Sequence, residues 1–126
     1  MAENDSLSPP PAFRMEQEAG PAGVTVLVLA GEIDLATSGQ FRGAVEDALR
    51  REGSVVIDMD EVTFMDSTML RELLRAHKDL QGAGNRLVIA AAQPAVRRLL
   101  ELTGTSGLFE LAEDREAAFR TLSGAG

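Results

Sequence analysis

The sequence contains no cysteine, no tryptophan and no tyrosine. Lacking cysteine, the chain has no disulfide, no thiolate metal site and no thiol nucleophile. Histidine and lysine are nearly absent as well, with His77 and Lys78 the single examples of each. No apolar run approaches the ~20 residues of a membrane span. No basic region followed by an apolar stretch opens the chain, so no signal peptide is expected there. Positive charge is also scarce, 12 Lys and Arg against 20 Asp and Glu, for a net charge of −8. That balance argues against nucleic acid and against an anionic membrane surface as partners. What is present fits a soluble, cytoplasmic protein: 126 residues, 44% hydrophobic, enough for one domain with a modest core.

The hydrophobic pattern predicts a mixed α/β domain over residues 12–122. It is preceded by an acidic, Pro-ending tail (residues 1–11) expected to be disordered, and followed by a fraying end (123–126). Phe13-Arg14-Met15-Glu16 alternates apolar and polar residues, as a short edge strand does. Turn chemistry at Gly20-Pro21 and Gly23 then leads into an apolar run over 24–30, suggesting an antiparallel hairpin. A first helix is predicted over 37–51, with Phe41, Ala44, Val45, Ala48 and Leu49 on one face and Gly53 as its stop. Gly43, inside it, has no evident reason. Further apolar strands open at Val55 and Leu87, each followed by a helix, which implies parallel pairing through right-handed crossovers. Pro94 begins the third helix, with Val96, Leu99 and Leu100 inward. A short strand or extended segment is expected over 107–111, and Asp114 caps a last helix burying Ala118, Phe119 and Leu122. The result is a β-sheet packed with about four helices, with βαβ crossovers after an N-terminal hairpin.

One stretch organises the chain. Val55-Val56-Ile57 reads as a buried strand that stops at the acids Asp58, Asp60 and Glu61, where a loop is expected. Asp66-Ser67-Thr68 then opens a helix carrying Leu70, Leu73, Leu74, His77 and Leu80 at helical spacing. The first turn of a helix has unpaired N–H groups and a partial positive charge, and it accommodates phosphate well. Phosphorylation of Ser67 would add about −1.5 to −2 charge units. The acids nearby in sequence would repel that charge, so Ser67 could carry a switch. Asp66 or Ser67 as a plain N-cap accounts for the same residues.

The run Phe64-Met65-Asp66-Ser67-Thr68-Met69-Leu70 resembles the signature of the STAS domain, shared by anti-sigma factor antagonists and the cytoplasmic tails of sulfate transporters. Gly31-Glu32-Ile33-Asp34 resembles the segment that closes the preceding strand in the antagonists. The resemblance spans nearly the whole ordered chain. It implies that Ser67 is the phosphorylated serine, with Thr68 as second choice. It also implies that Glu32, Asp34, Asp58, Asp66, Ser67, Thr68 and Met69 form the partner-binding surface. The family's glycine is replaced by Met69, which is expected to add a flexible apolar side chain at that surface. The implied mechanism needs neither a catalytic residue, a metal nor a cofactor in this chain. The unmodified antagonist binds an anti-sigma factor, a serine kinase of the histidine-kinase-like ATPase class, and so frees a sigma factor. That partner phosphorylates the serine, the modified form binds poorly, and a protein phosphatase restores it.

Other chemistries fit less well. His77 lies on a Leu-rich helix face, as a core or boundary histidine does. No nucleophile elbow and no phosphate-binding glycine loop are present. The acids around Asp58 do not follow an EF-hand spacing. Asp58 at a strand end suggests the phosphoacceptor of a receiver domain, but that fold needs a lysine ending its last strand, and Lys78 falls within a helix. A STAS scaffold, or a nucleotide-binding module, in a signalling or transporter-associated complex is the alternative function.

Overall fold

A computed structural model describes residues 13–33 and 37–124. The expected tail, Asp34 and the last two residues lie outside the described residues. The elements are β1 (Arg14–Ala19), β2 (Thr25–Ile33), α1 (Ser38–Arg50), β3 (Val55–Met65), α2 (Ser67–Gly82), β4 (Leu87–Ala90), α3 (Pro94–Leu102), β5 (Glu110–Ala112) and α4 (Arg115–Ser123). They follow the order and type that the hydrophobic pattern predicts. The strands form one sheet in chain order, β1-β2-β3-β4-β5. The β1–β2 hairpin is antiparallel and the other three pairs are parallel.

The central strands are apolar on both faces because helices cover both. On one face Leu27, Ile57 and Ile89 stand in register beneath α1, α2 and α3, with Phe41, Val45, Leu73, Leu80, Val96 and Leu100 filling the layer between. On the other face Val26, Val56 and Val88 meet Ala118, Phe119 and Leu122 of α4. Burying each large aliphatic side chain contributes about 1.5–3 kcal/mol, so these two layers dominate the stability of the fold. Three crossover helices share one face because the strand order advances in a single direction and each crossover turns the same way. No helix among the described residues is long and apolar enough to cross a membrane.

Two expectations are corrected here. The strand after Gly53 does not stop at the acids; β3 continues through them for 11 residues, to Met65. It can do so because β2 is equally prolonged to Ile33, and the ladder resumes after register shifts, with Gly31 opposite Val62, Glu32 opposite Phe64 and Ile33 opposite Met65. The shifts let Asp60-Glu61 and Thr63-Phe64 face solvent while Val62 and Met65 stay in the core. Gly31 stands at one of them with φ +88°, where a Cβ would cost about 1–2 kcal/mol. The second correction concerns the end of α1. Glu52, not Gly53, takes the left-handed conformation there, at φ +59°. Gly53 is needed for a different reason: a Cβ on it would collide with the carbonyl oxygen of Gly23. Gly43 lies on the exposed side of α1, where an added Cβ meets nothing, and nothing in the structure accounts for it.

Candidate functional site

The site is built where β2 and β3 end together. Asp66 follows β3, and its backbone N–H donates to the Ile33 carbonyl at 3.3 Å, fastening the end of β2 to the mouth of α2. Asp66 is extended and caps the helix. Its Oδ1 accepts from the Met69 N–H at 2.9 Å, and its carbonyl accepts from the Leu70 N–H at 3.1 Å. One acid thereby satisfies the first turn by side chain and backbone together.

Ser67 is the first residue of α2 and is exposed; Thr68 beside it is half-buried. The cap is already supplied by Asp66, so the Ser67 hydroxyl is not needed for it. Glu32 is exposed at the neighbouring strand end, opposite Phe64. Sequence reasoning left Phe64 out of the contact set, although it is 51% exposed and two residues before the helix cap Asp66. The signal was present in the order Val62-Thr63-Phe64-Met65. The register shift that turns Phe64 outward is a property of the β2–β3 pairing, however, and strict alternation does not reveal it.

Two residues assigned to the surface do not belong to it. Met69 is 0% exposed and sits in the core with Ile33, Met65 and Leu73. It is the third residue of α2, and the cap orients that turn so that position 69 points at the sheet. Asp58 alternates with the core residues Ile57 and Met59 and so faces α4, away from α2. Seven residue steps along the strand, up to ~23 Å of extended chain, separate it from Met65. Its Oδ2 accepts from Arg115 Nε at 2.6 Å and its Oδ1 from the Asp60 N–H at 3.0 Å. Arg115 also donates to Glu18 at 2.7 Å, which ties β1, β3 and α4 together. These two hydrogen-bonded carboxylates raise the Arg115 pKa further above the ordinary arginine value. Asp58 is therefore a buried partner in an ion cluster on the α4 side and lies away from the surface at the mouth of α2. The expected crowd of acids around Ser67 disperses for the same reason. Glu61 pairs with Arg14 at 3.2 Å, and among the described acids only Asp66 borders the serine directly in the chain.

Helix α2 is held from the side by α1. Arg42 donates to Glu72 through Nε at 3.1 Å and Nη2 at 2.5 Å, a two-pronged pair. Hydrogen bonding to Arg42 holds the Glu72 carboxyl below its ordinary pKa, outweighing the opposing effect of burial. His77 packs its ring edge-on against Phe109 at 5.8 Å, as a boundary histidine would. Among the described residues no cluster of histidines and acids could hold a metal ion.

A parallel sheet extended by an N-terminal hairpin, with a capped helix presenting a free serine at the strand ends, defines the class. The chain belongs to the STAS domain family, whose pattern residues 17–118 match. The anti-sigma-B factor antagonist of Listeria monocytogenes is 37% identical over 86 residues, covering 68% of this chain and 75% of that protein. An anti-sigma factor antagonist from Mycobacterium paratuberculosis superposes with a TM-score of 0.78 at 26% identity, covering 89% of this chain and 95% of that one. The anti-sigma factor antagonist SpoIIAA in its unphosphorylated form shares the fold, with a TM-score of 0.75 at 21% identity over 88% of this chain and 97% of its own.

Proposed function

We propose that this protein is an anti-sigma factor antagonist whose docking surface is switched by phosphorylation of Ser67. The unmodified form binds an anti-sigma factor serine kinase of the histidine-kinase-like ATPase class in the cytoplasm and releases a sigma factor. Phosphate on Ser67 blocks that contact, and a protein phosphatase removes it. The observation that carries the reading is the division of labour at α2: Asp66 caps the helix, and the exposed Ser67 hydroxyl stays available. Relatives named as antagonists support it, as does SpoIIAA, which is known in both unphosphorylated and phosphorylated forms.

The energetics are undemanding. Weakening a complex tenfold takes about 1.4 kcal/mol. A double negative charge buried unpaired in an interface costs more than that, with no change of fold. Glu32, Asp66 and Thr68, with the exposed ring of Phe64, complete the contact surface around the serine. Asp34 adjoins it in sequence and joins the same proposed surface.

The test is a paired substitution. Ser67→Ala should keep the purified kinase partner, and Ser67→Asp should lose it. After incubation with that kinase and ATP, mass spectrometry should find phosphate on Ser67; phosphate on Thr68 alone, or on neither, would refute the assignment. A scaffold would tolerate both substitutions, and a nucleotide binder would show a ligand-dependent melting shift with no partner present.

A further inference from the structure

Helix α2 carries an arrangement that the phosphoserine reading does not use. Its buried side is Met69, Leu70, Leu73, Ala76 and Leu80. On the opposite side stand Ser67, Arg71, Arg75 and Lys78, all exposed. At 3.6 residues per turn these four fall within an arc of about 80° and run some 16 Å along the helix, starting at the serine. No acid lies within that arc. The flank toward α1 carries Glu72 and Asp79, and Arg75 borders the same groove; Glu72 accepts its hydrogen bonds from Arg42 while also feeling the charges of Arg71 and Arg75. Arg71, Arg75 and Lys78 make no ion pair with a carboxylate among the described residues, as is also true of Arg51, Arg97, Arg98 and Arg120, but only these three line one helix face beside the serine. Three unpaired cations in a row stand on the surface of a protein with net charge −8.

Like charges at i, i+4 repel, and Glu72, whose hydrogen bonds come from Arg42, offsets this for Arg71 and Arg75 only through space. A partner surface of opposite sign removes that repulsion and gains the complementary attraction. We infer that the Arg71–Arg75–Lys78 crest is a docking ridge for an acidic protein surface, one that places Asp and Glu side chains along α2 and reaches Ser67 at its N-terminal end. This deepens the proposed function and rests on it for the partner's identity: the kinase's docking face would be carboxylate-rich. Side chains on a helix lean toward its N-terminus, so Arg71 leans toward position 67. A phosphate on Ser67 would compete for Arg71 as well as repel the partner's carboxylates, so the ridge and the switch act at one end of the same contact.

The full chain is compared with R71Q/R75Q/K78Q, and with R98Q/R120Q as a control that removes two exposed cations elsewhere. Binding of the purified kinase is followed across a salt series. The triple variant should bind about tenfold more weakly at low salt, mostly through the association rate, with the deficit shrinking as salt rises. The control should stay within about twofold of the unaltered chain, since rim charges away from a contact contribute little. Equal affinity of the triple variant, an equal loss in the control, or a deficit indifferent to salt would each overturn the inference. A second probe needs no kinase: a short glutamate-rich peptide titrated into the labelled full chain and followed by amide NMR shifts. Shifts centred on residues 71, 75 and 78 support the ridge; no shifts, or shifts centred on Arg98 and Arg120, refute it. Tighter binding of the ridge to a DNA duplex or to phosphatidylserine vesicles than to the peptide also refutes it. If no kinase binds the chain, the proposed function fails while the peptide still decides the ridge. If Ser67→Asp binds normally while the triple variant does not, the ridge stands and the switch falls.

Discussion

Replacing Met69 separates two accounts of the helix mouth. The family resemblance puts a glycine at this position and a partner against it, so a methionine there would be a surface contact. The structure gives it 0% exposure within the core cluster on the α1–α3 face of the sheet. Truncating a buried methionine to alanine costs about 2–5 kcal/mol, through lost burial and the cavity left behind. Glycine in place of alanine adds up to about 1 kcal/mol of helix cost. Against a total stability of order 5–15 kcal/mol, that is a large fraction. For a chain of 126 residues the melting point should fall by about 10–20 °C in Met69→Ala and further in Met69→Gly. Met69→Leu, which nearly conserves volume, should lose less than about 1.5 kcal/mol. Urea unfolding followed by circular dichroism is the assay, with the midpoint moving and the slope unchanged. Kinase binding, measured well below the melting point, should change little in any of the three. The reasoning is refuted if Met69→Ala melts within a degree or two of the unaltered chain while its partner affinity drops. That outcome would return the side chain to the surface.

Further expectations concern the ion pairs. Arg115→Leu leaves the buried Asp58 carboxylate without its main partner and should cost about 2 kcal/mol, less than for a fully buried pair because Arg115 is partly exposed. Adding Asp58→Asn should recover part of that loss, so a double-mutant cycle in urea should show coupling; simple additivity would contradict the structural role given to Asp58. Glu72 and Glu110 have folded-state carboxyl pKa values lowered chiefly by hydrogen bonds from Arg42 and Arg86. Each therefore contributes stability that is fully present above the unfolded carboxyl value of about 4.3 and is lost as pH falls through the folded one. Glu72→Gln should flatten the decline of stability below about pH 4.5, and an unchanged acid limb would count against the α1–α2 pair.

Much of this protein was legible in the chain as written. Element order followed from apolar periodicity, and the parallel pairing followed from strands apolar on both faces with helices between them. The helix start at Asp66-Ser67 was a local fact, because it is decided by four or five consecutive residues; which of the two residues caps it was settled by the contact of Asp66 Oδ1 with the Met69 N–H. The rest depended on contacts distant in sequence. The length of β3 was set by β2 pairing alongside it as far as Ile33, which carried the ladder through acids that, on their own, signal a loop. The burial of Met69 depended on the direction in which the cap aims the first turn of α2, and the sheet beneath supplied the apolar wall. Asp58 reads as a candidate site acid until Arg115, 57 residues later, is seen to bind it. Side-chain chemistry and spacing are written locally; which face a residue meets, and what neutralises its charge, is decided only when remote segments are brought together.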